Sequence, residues 1–150
     1  MRDKGLTLTE LVLTLAILAA IAALTLPNLT GWIRHYRARR VVRELVCQME
    51  LAKIKALKTN RQYRIAFDPS SKTFRMERGN RPDAPGEWVQ EGGIFRVPHQ
   101  ISLEANVEAI RFNPDGTALS GSVTIRAGDG EYYTVTANTS TGKINVARGK

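Results

Sequence analysis

From Leu11 to Ile33 the chain carries no charged residue, a run of 23. Wound as a helix at about 1.5 Å per residue it is about 34 Å long, against a bilayer hydrocarbon core of about 30 Å. Leu, Ala, Ile and Val dominate it on every side rather than along one stripe. A membrane-crossing helix is therefore the expectation. Two other uses stay open. The run could be a buried helix of a soluble domain, or a secretory signal peptide with Arg2 and Lys4 as its basic start and Ala16 to Ala23 supplying small residues for cleavage.

Charge is confined as sharply as apolarity. Residues 34–64 hold ten basic residues and two acidic ones, so they account for the whole formal net charge of +8. Residues 65–150 hold ten of each sign and sum to zero. A positive patch beside a membrane segment normally marks the cytoplasmic side, whereas Arg2 and Lys4 compete for that side at the other end. At 150 residues the chain has material for one ordinary domain beyond the apolar run. One cysteine, Cys47, excludes an intramolecular disulfide framework and a Cys-built zinc site. His35 and His99 stand far apart, and HExxH, Walker and GxGxxG motifs are absent. No cofactor or metal is expected, and an enzyme reading has little to build on.

Glu10 lies at the edge of the apolar run, in Lys4-Gly5-Leu6-Thr7-Leu8-Thr9-Glu10-Leu11. An ionised carboxylate inside a bilayer costs about 2.5–3.5 kcal/mol on insertion scales. A cut between Gly5 and Leu6 would supply a partner: the new Leu6 α-amine, of a type that titrates at about 8 in peptides, with Glu10 as the fifth residue of the mature chain. The pair could form within one subunit or between staggered neighbours. Alternatively, Glu10 simply lies at the interface and is solvated by headgroups.

This junction resembles the class III leader of type IV pilins and type II secretion pseudopilins, in which a short charged leader ends in Gly before an apolar or aromatic residue, Thr-Leu-x-Glu and a long apolar helix. Gly5, Thr7, Leu8 and Glu10 match, and Leu6 stands where Phe is usual. Pro27 matches a helix-kinking proline common in the family, where loss of a backbone donor loosens the helix. The resemblance implies that a prepilin peptidase/N-methyltransferase cuts between Gly5 and Leu6 and methylates Leu6. It implies that Glu10 and Pro27 serve assembly, and that the apolar helix passes from the inner-membrane bilayer to a filament core. Partners would be other pilin or pseudopilin subunits and an inner-membrane assembly platform. The C-terminal domain would be periplasmic or otherwise extracytoplasmic, which settles the orientation against simple charge counting.

Beyond the run the pattern stays helical from about Gly31 to Thr59. Val42, Leu45, Val46, Met49, Ala52 and Ala56 recur at steps of three and four and form one apolar face. Lys53 falls near that face, and its long stem could snorkel. Cys47 is expected to pack as a small apolar residue. Arg34, Arg37, Arg39, Arg40 and Arg43 suit nucleic acid or acidic lipid, although a solvated helix face is the commoner use of a charge run.

The remainder reads as short strands: 62–68, 73–77, 93–97, 101–105, 109–112, 122–126, 132–137 and 143–147. Turn signals such as Asp68-Pro69-Ser70-Ser71 and Asn113-Pro114-Asp115-Gly116 separate them. Alternation is clearest in Tyr63-Ile65-Phe67 and Val123-Ile125, and 79–86 reads as a surface loop. Asp115 and Gly116 read as turn residues, and neither Asp115 nor Asp129 has a ligand cluster for a metal. The expected division is a cleaved leader 1–5, a membrane or filament-core helix 6–33, an amphipathic stalk helix 34–60 and a β domain 61–150.

Phe112-Asn113-Pro114-Asp115-Gly116-Thr117-Ala118, Ser120-Gly121-Ser122-Val123-Thr124-Ile125 and Thr141-Gly142-Lys143-Ile144-Asn145-Val146 resemble the GspH/FimT branch of minor pseudopilins and pilins. That resemblance implies an α+β, type IV pilin-like fold: a long N-terminal helix packed on a C-terminal antiparallel β-sheet or β-sandwich domain. It implies a structural subunit of a type II secretion pseudopilus or a type IV pilus. Some FimT-type pilins also bind DNA through a basic C-terminal Gly-Arg-x-Arg. Here Gly142-Lys143-Ile144-Asn145 stands in that place, and Lys143, Arg148 and Lys150 would carry any such contact. A cysteine hydrolase built on Cys47 and His99 is the remaining alternative.

Overall fold

The computed structural model describes residues 7–79, 86–128 and 130–149, with the backbone alone over 24–32. One helix, α1, spans Leu8–Thr59. Apolar segment and stalk are thus one element, and α1 continues through Pro27, whose side chain lies outside the described residues. Thr7 opens α1: its hydroxyl accepts the Glu10 N–H at 3.3 Å and its carbonyl accepts the Leu11 N–H at 3.1 Å, meeting donors that a helix start leaves bare. At the far end Asn60 takes a positive φ of 52°. That left-handed stop is one Asn tolerates better than most side chains. The chain divides into two compact units, Met1–Ile33 and Arg34–Lys150. Among the described residues no helix is long and apolar enough to cross a membrane.

In the second unit nine strands follow among the described residues: β1 Tyr63–Asp68, β2 Thr73–Gly79, β3 Trp88–Arg96, β4 Ser102–Ala105, β5 Ala109–Phe112, β6 Ala118–Leu119, β7 Ser122–Arg126, β8 Tyr132–Ala137 and β9 Ile144–Gly149. They form a five-stranded sheet ordered β3-β2-β1-β5-β6 and a four-stranded sheet ordered β4-β7-β8-β9. Every pairing is antiparallel. With α1 these make the α+β, helix-on-sheets architecture that the resemblance implied.

The core follows from two periodicities. On α1, Ala38, Val41, Val42, Leu45, Met49, Ala52 and Ala56 are buried at three- and four-residue steps. On the strands, alternate residues point inward: Tyr63, Ile65 and Phe67 from β1, Ile110 and Phe112 from β5, Val123 and Ile125 from β7, Tyr133 and Val135 from β8. All belong to one hydrophobic cluster, so the stripe of α1 and the inward faces of both sheets share a core.

Three expectations need correction. Cys47 is exposed. It stands two residues from both Leu45 and Met49, about 200° around the wheel from each at about 100° per residue, and so faces away from the buried stripe instead of packing as a small apolar residue. The third strand is longer than 93–97, starting at Trp88. Gly92-Gly93 conceals its first half in the sequence. Gly92 adopts a φ of 97°, and the β2–β3 register shifts between Arg75 and Glu77, a bulge that absorbs the irregularity. The two-residue strand β6, which pairs Arg111 with Leu119, is too short for any periodicity to announce. Residues 80–85 of the expected loop lie outside the described residues.

Candidate assembly surface

The first turn of α1 is built by Thr7 and Glu10. Thr7 is the N-cap and Glu10 the third helical residue, the Thr-x-x-Glu spacing of a capping box. A carboxylate here also meets the positive end of the helix dipole. Glu10 is exposed. Its sequence reading as an assembly residue overlooked Thr7 as a cap, although the spacing was visible. Gly5 and Leu6, the expected processing site, lie outside the described residues.

Beyond that turn, as far as residue 23, the helix surface is exposed and largely apolar. Leu8, Leu11, Val12, Leu13, Leu15, Ile17, Leu18 and Ile21 are each at least half exposed, Leu8 at 80%. They lie all round the helix. Exposing one Leu or Ile side chain rather than burying it costs about 1.5–3 kcal/mol, and a contiguous surface of this kind marks an interaction site.

The Arg34–Lys150 unit has its own surfaces. Arg37 Nη1 donates to Gln100 Oε1 at 3.0 Å, and Arg39 Nε donates to the Tyr133 hydroxyl at 3.2 Å. These two members of the arginine cluster therefore bind α1 to the β domain. Lys53, unexplained by the pattern, lays its stem beside Gly142 and donates to the Thr141 carbonyl at 3.1 Å. His35 Nδ1 lies 3.1 Å from Glu131 Oε2, and Arg148 pairs with the other oxygen of that carboxylate. The hydrogen bond from Arg148, with its charge and those of His35 and Arg39, holds the Glu131 carboxyl below its usual range.

The expected nucleic-acid residues are consequently dispersed in role. Lys143 is exposed beside the Ser140–Gly142 turn. Arg148 is engaged with Glu131, and Lys150 lies outside the described residues. Cys47 is exposed on α1, while the His99 carbonyl accepts a hydrogen bond from Lys72. Among the described residues no three His, Cys, Asp or Glu side chains group as a metal site.

Comparison with known proteins places this arrangement. Residues 41–141 match the family model described as type II transport protein GspH. The chain is 24% identical over 129 residues to the type II secretion system protein H of Xanthomonas campestris pv. campestris, an alignment covering 86% of this chain and 75% of that protein. Its fold is similar to that of the minor pseudopilin EpsH from the type 2 secretion system of Vibrio cholerae, with a TM-score of 0.63 at 11% identity over 74% of this chain and 96% of the other. It is also similar to the type IV minor pilin FimU of Pseudomonas aeruginosa, with a TM-score of 0.54 at 15% identity over 75% and 90% of the two chains.

Proposed function

The chain belongs to the GspH family of type II transport proteins, and on that premise we propose that it is a minor pseudopilin. It joins or primes a type II secretion pseudopilus, or a closely similar type IV pilus, through the first half of α1. The observation that carries this reading is the exposed apolar surface from Leu8 to Ile21. Such a surface needs lipid before assembly and other apolar helices after it.

The division of labour follows from charge and hydropathy. Residues 1–5 act as a leader removed by a prepilin peptidase that also methylates Leu6. Residues 6–33 cross the inner membrane and then enter the filament core. Residues 34–60 and 61–150 present the periplasmic domain to neighbouring subunits. Glu10 and the Leu6 amine neutralise each other as the helix leaves the bilayer for the filament, each lowering the other's desolvation cost. The subunit performs no catalytic step; its contribution is binding.

The test is co-fractionation. The full chain, expressed with its secretion or pilus machinery, is expected in the sheared filament fraction. A chain beginning at Arg34 behind a cleavable export signal is expected to remain soluble. Equal recovery of both in filaments would overturn the assignment of assembly to the apolar half of α1.

A further inference from the structure

A cavity of about 430 Å³ opens beside α1, four residues beyond the end of the uncharged run. Its apolar wall is the cross-strand pair Phe74 and Phe95, whose rings stack at 5.3 Å between centroids and 14° between planes, together with Val41 and Pro98. Its polar rim is Arg37 and Arg40 from α1 and Arg96 from β3, against the single lining carboxylate of Glu44. Glu44 is occupied in part by Gln48, which donates to it at 3.1 Å. Arg37 is steadied by Gln100. The side chains of Arg40 and Arg96 make no hydrogen bond or ion pair among the described residues. Two uncommitted guanidinium groups beside an aromatic wall, from residues 56 positions apart in sequence, are poorly explained as solvated charge alone.

We propose that this cavity holds the phosphodiester headgroup of an anionic phospholipid of the phosphatidylglycerol type. This rests on reading residues 6–33 as a membrane segment. The planar guanidinium fork matches phosphate oxygens in pairs. The rim charge, three arginines against one glutamate, suits a singly charged phosphodiester. The apolar wall suits the glycerol and first methylenes of a lipid better than it suits a free inorganic ion. Arg37 and Arg40 also stand close in sequence to the segment read as membrane-spanning, four and seven residues after Ile33, the end of the uncharged run. The bound lipid holds the subunit on the membrane surface before assembly and is released as the helix withdraws.

The test measures lipid retention by the full-length chain in detergent, by native mass spectrometry. Phosphatidylglycerol, phosphatidylcholine of the same acyl chains and inorganic phosphate are offered separately. The parent chain is expected to retain phosphatidylglycerol in preference to the other two. The double variant R40Q/R96Q is expected to lose that preference by about tenfold or more, the effect of losing one hydrogen bond to a charged group. R43Q, an exposed arginine on the same helix outside the cavity, is expected to retain it. Equal retention by R40Q/R96Q and the parent overturns the proposal, as does an equal loss in R43Q, which would mean diffuse charge attraction. Inorganic phosphate held as tightly as the lipid overturns the lipid assignment. Vesicle insertion of the same protein separates the two readings: a chain that enters no vesicle removes the membrane premise, whereas one that inserts while R40Q/R96Q matches the parent removes the pocket alone.

Discussion

The backbone N–H of Glu10 donates to the Thr7 hydroxyl at 3.3 Å, so the acid at the head of the apolar rod is also the third residue of a capped helix. Two roles can therefore be separated by substitution. Glu10→Gln keeps a side chain suited to the third helical position and removes only the charge. It is expected to be processed to mature size and yet fall at least tenfold in the filament fraction, read by immunoblot of sheared filaments. Normal incorporation would leave the charge-pairing argument without support. Thr7→Ala is expected to cost about 1 kcal/mol of local helix stability through the lost cap.

The proposed cut between Gly5 and Leu6 is tested at the protein terminus. N-terminal sequencing of the native subunit should give leucine, methylated or not, in its first cycle. Gly5→Leu should leave the full-length precursor in the membrane fraction. A mature-sized Gly5→Leu product would place the cut elsewhere.

Leu45 is fully buried on the inward stripe of α1, while Leu51, six residues later, is 38% exposed. Leu45→Ala should lower the unfolding free energy of the Arg34–Lys150 unit by about 2–5 kcal/mol, the range for a buried leucine that leaves a cavity. Leu51→Ala should change it by about 0.5 kcal/mol or less. Urea unfolding followed by circular dichroism measures both, and equal losses would contradict the facing of the helix.

Acid should weaken the β domain. At Glu91 burial pushes the carboxyl up, but hydrogen bonds from Lys55 and Tyr63 and the charges of Lys55 and Arg78 outweigh it and leave it lowered. Asp68 is lowered to about 2, first by the Ser70 hydroxyl and then by Ser71. A carboxyl lowered in the folded state contributes stability that is present above its unfolded value, about 4, and is lost as pH falls through the folded value. The melting temperature should therefore be level from pH 7 to 5 and decline below about pH 4. Glu91→Gln should flatten part of that decline, and an unchanged acid limb in this variant would remove Glu91 from the account.

Gly142 combines a φ of 57° with a close approach, since an added Cβ would lie 2.5 Å from the Gly116 carbonyl oxygen. Gly142→Ala is expected to cost about 1–3 kcal/mol. The same urea experiment checks it, and an unchanged midpoint would mean that the two turns are not held together as described.

Local rules made much of the chain readable. The three- and four-residue step of Leu45, Met49, Ala52 and Ala56 needs only the helix repeat, and Tyr63-Ile65-Phe67 needs only the pleat. Thr7-x-x-Glu10 and the Asp115-Gly116 turn are likewise matters of neighbours along the chain. Where an irregularity interrupted the period, as at Gly92 in β3, the strand was legible only in part.

What the sequence by itself determined is the uncharged rod from Leu11 to Ile33, the amphipathic continuation that buries Leu45, and the alternation of the strands, because each depends on spacing within a few residues. Only the tertiary structure decided which distant side chains meet. It turned Cys47 outward, carried Lys53 to the Thr141 carbonyl, set Glu131 between His35 and Arg148, and brought Arg40 and Arg96 to the rim of the Phe74–Phe95 wall. Those meetings depend on the order β3-β2-β1-β5-β6 and β4-β7-β8-β9. That order is chosen by burial of one shared core, a sum over the whole unit that no short stretch of sequence contains.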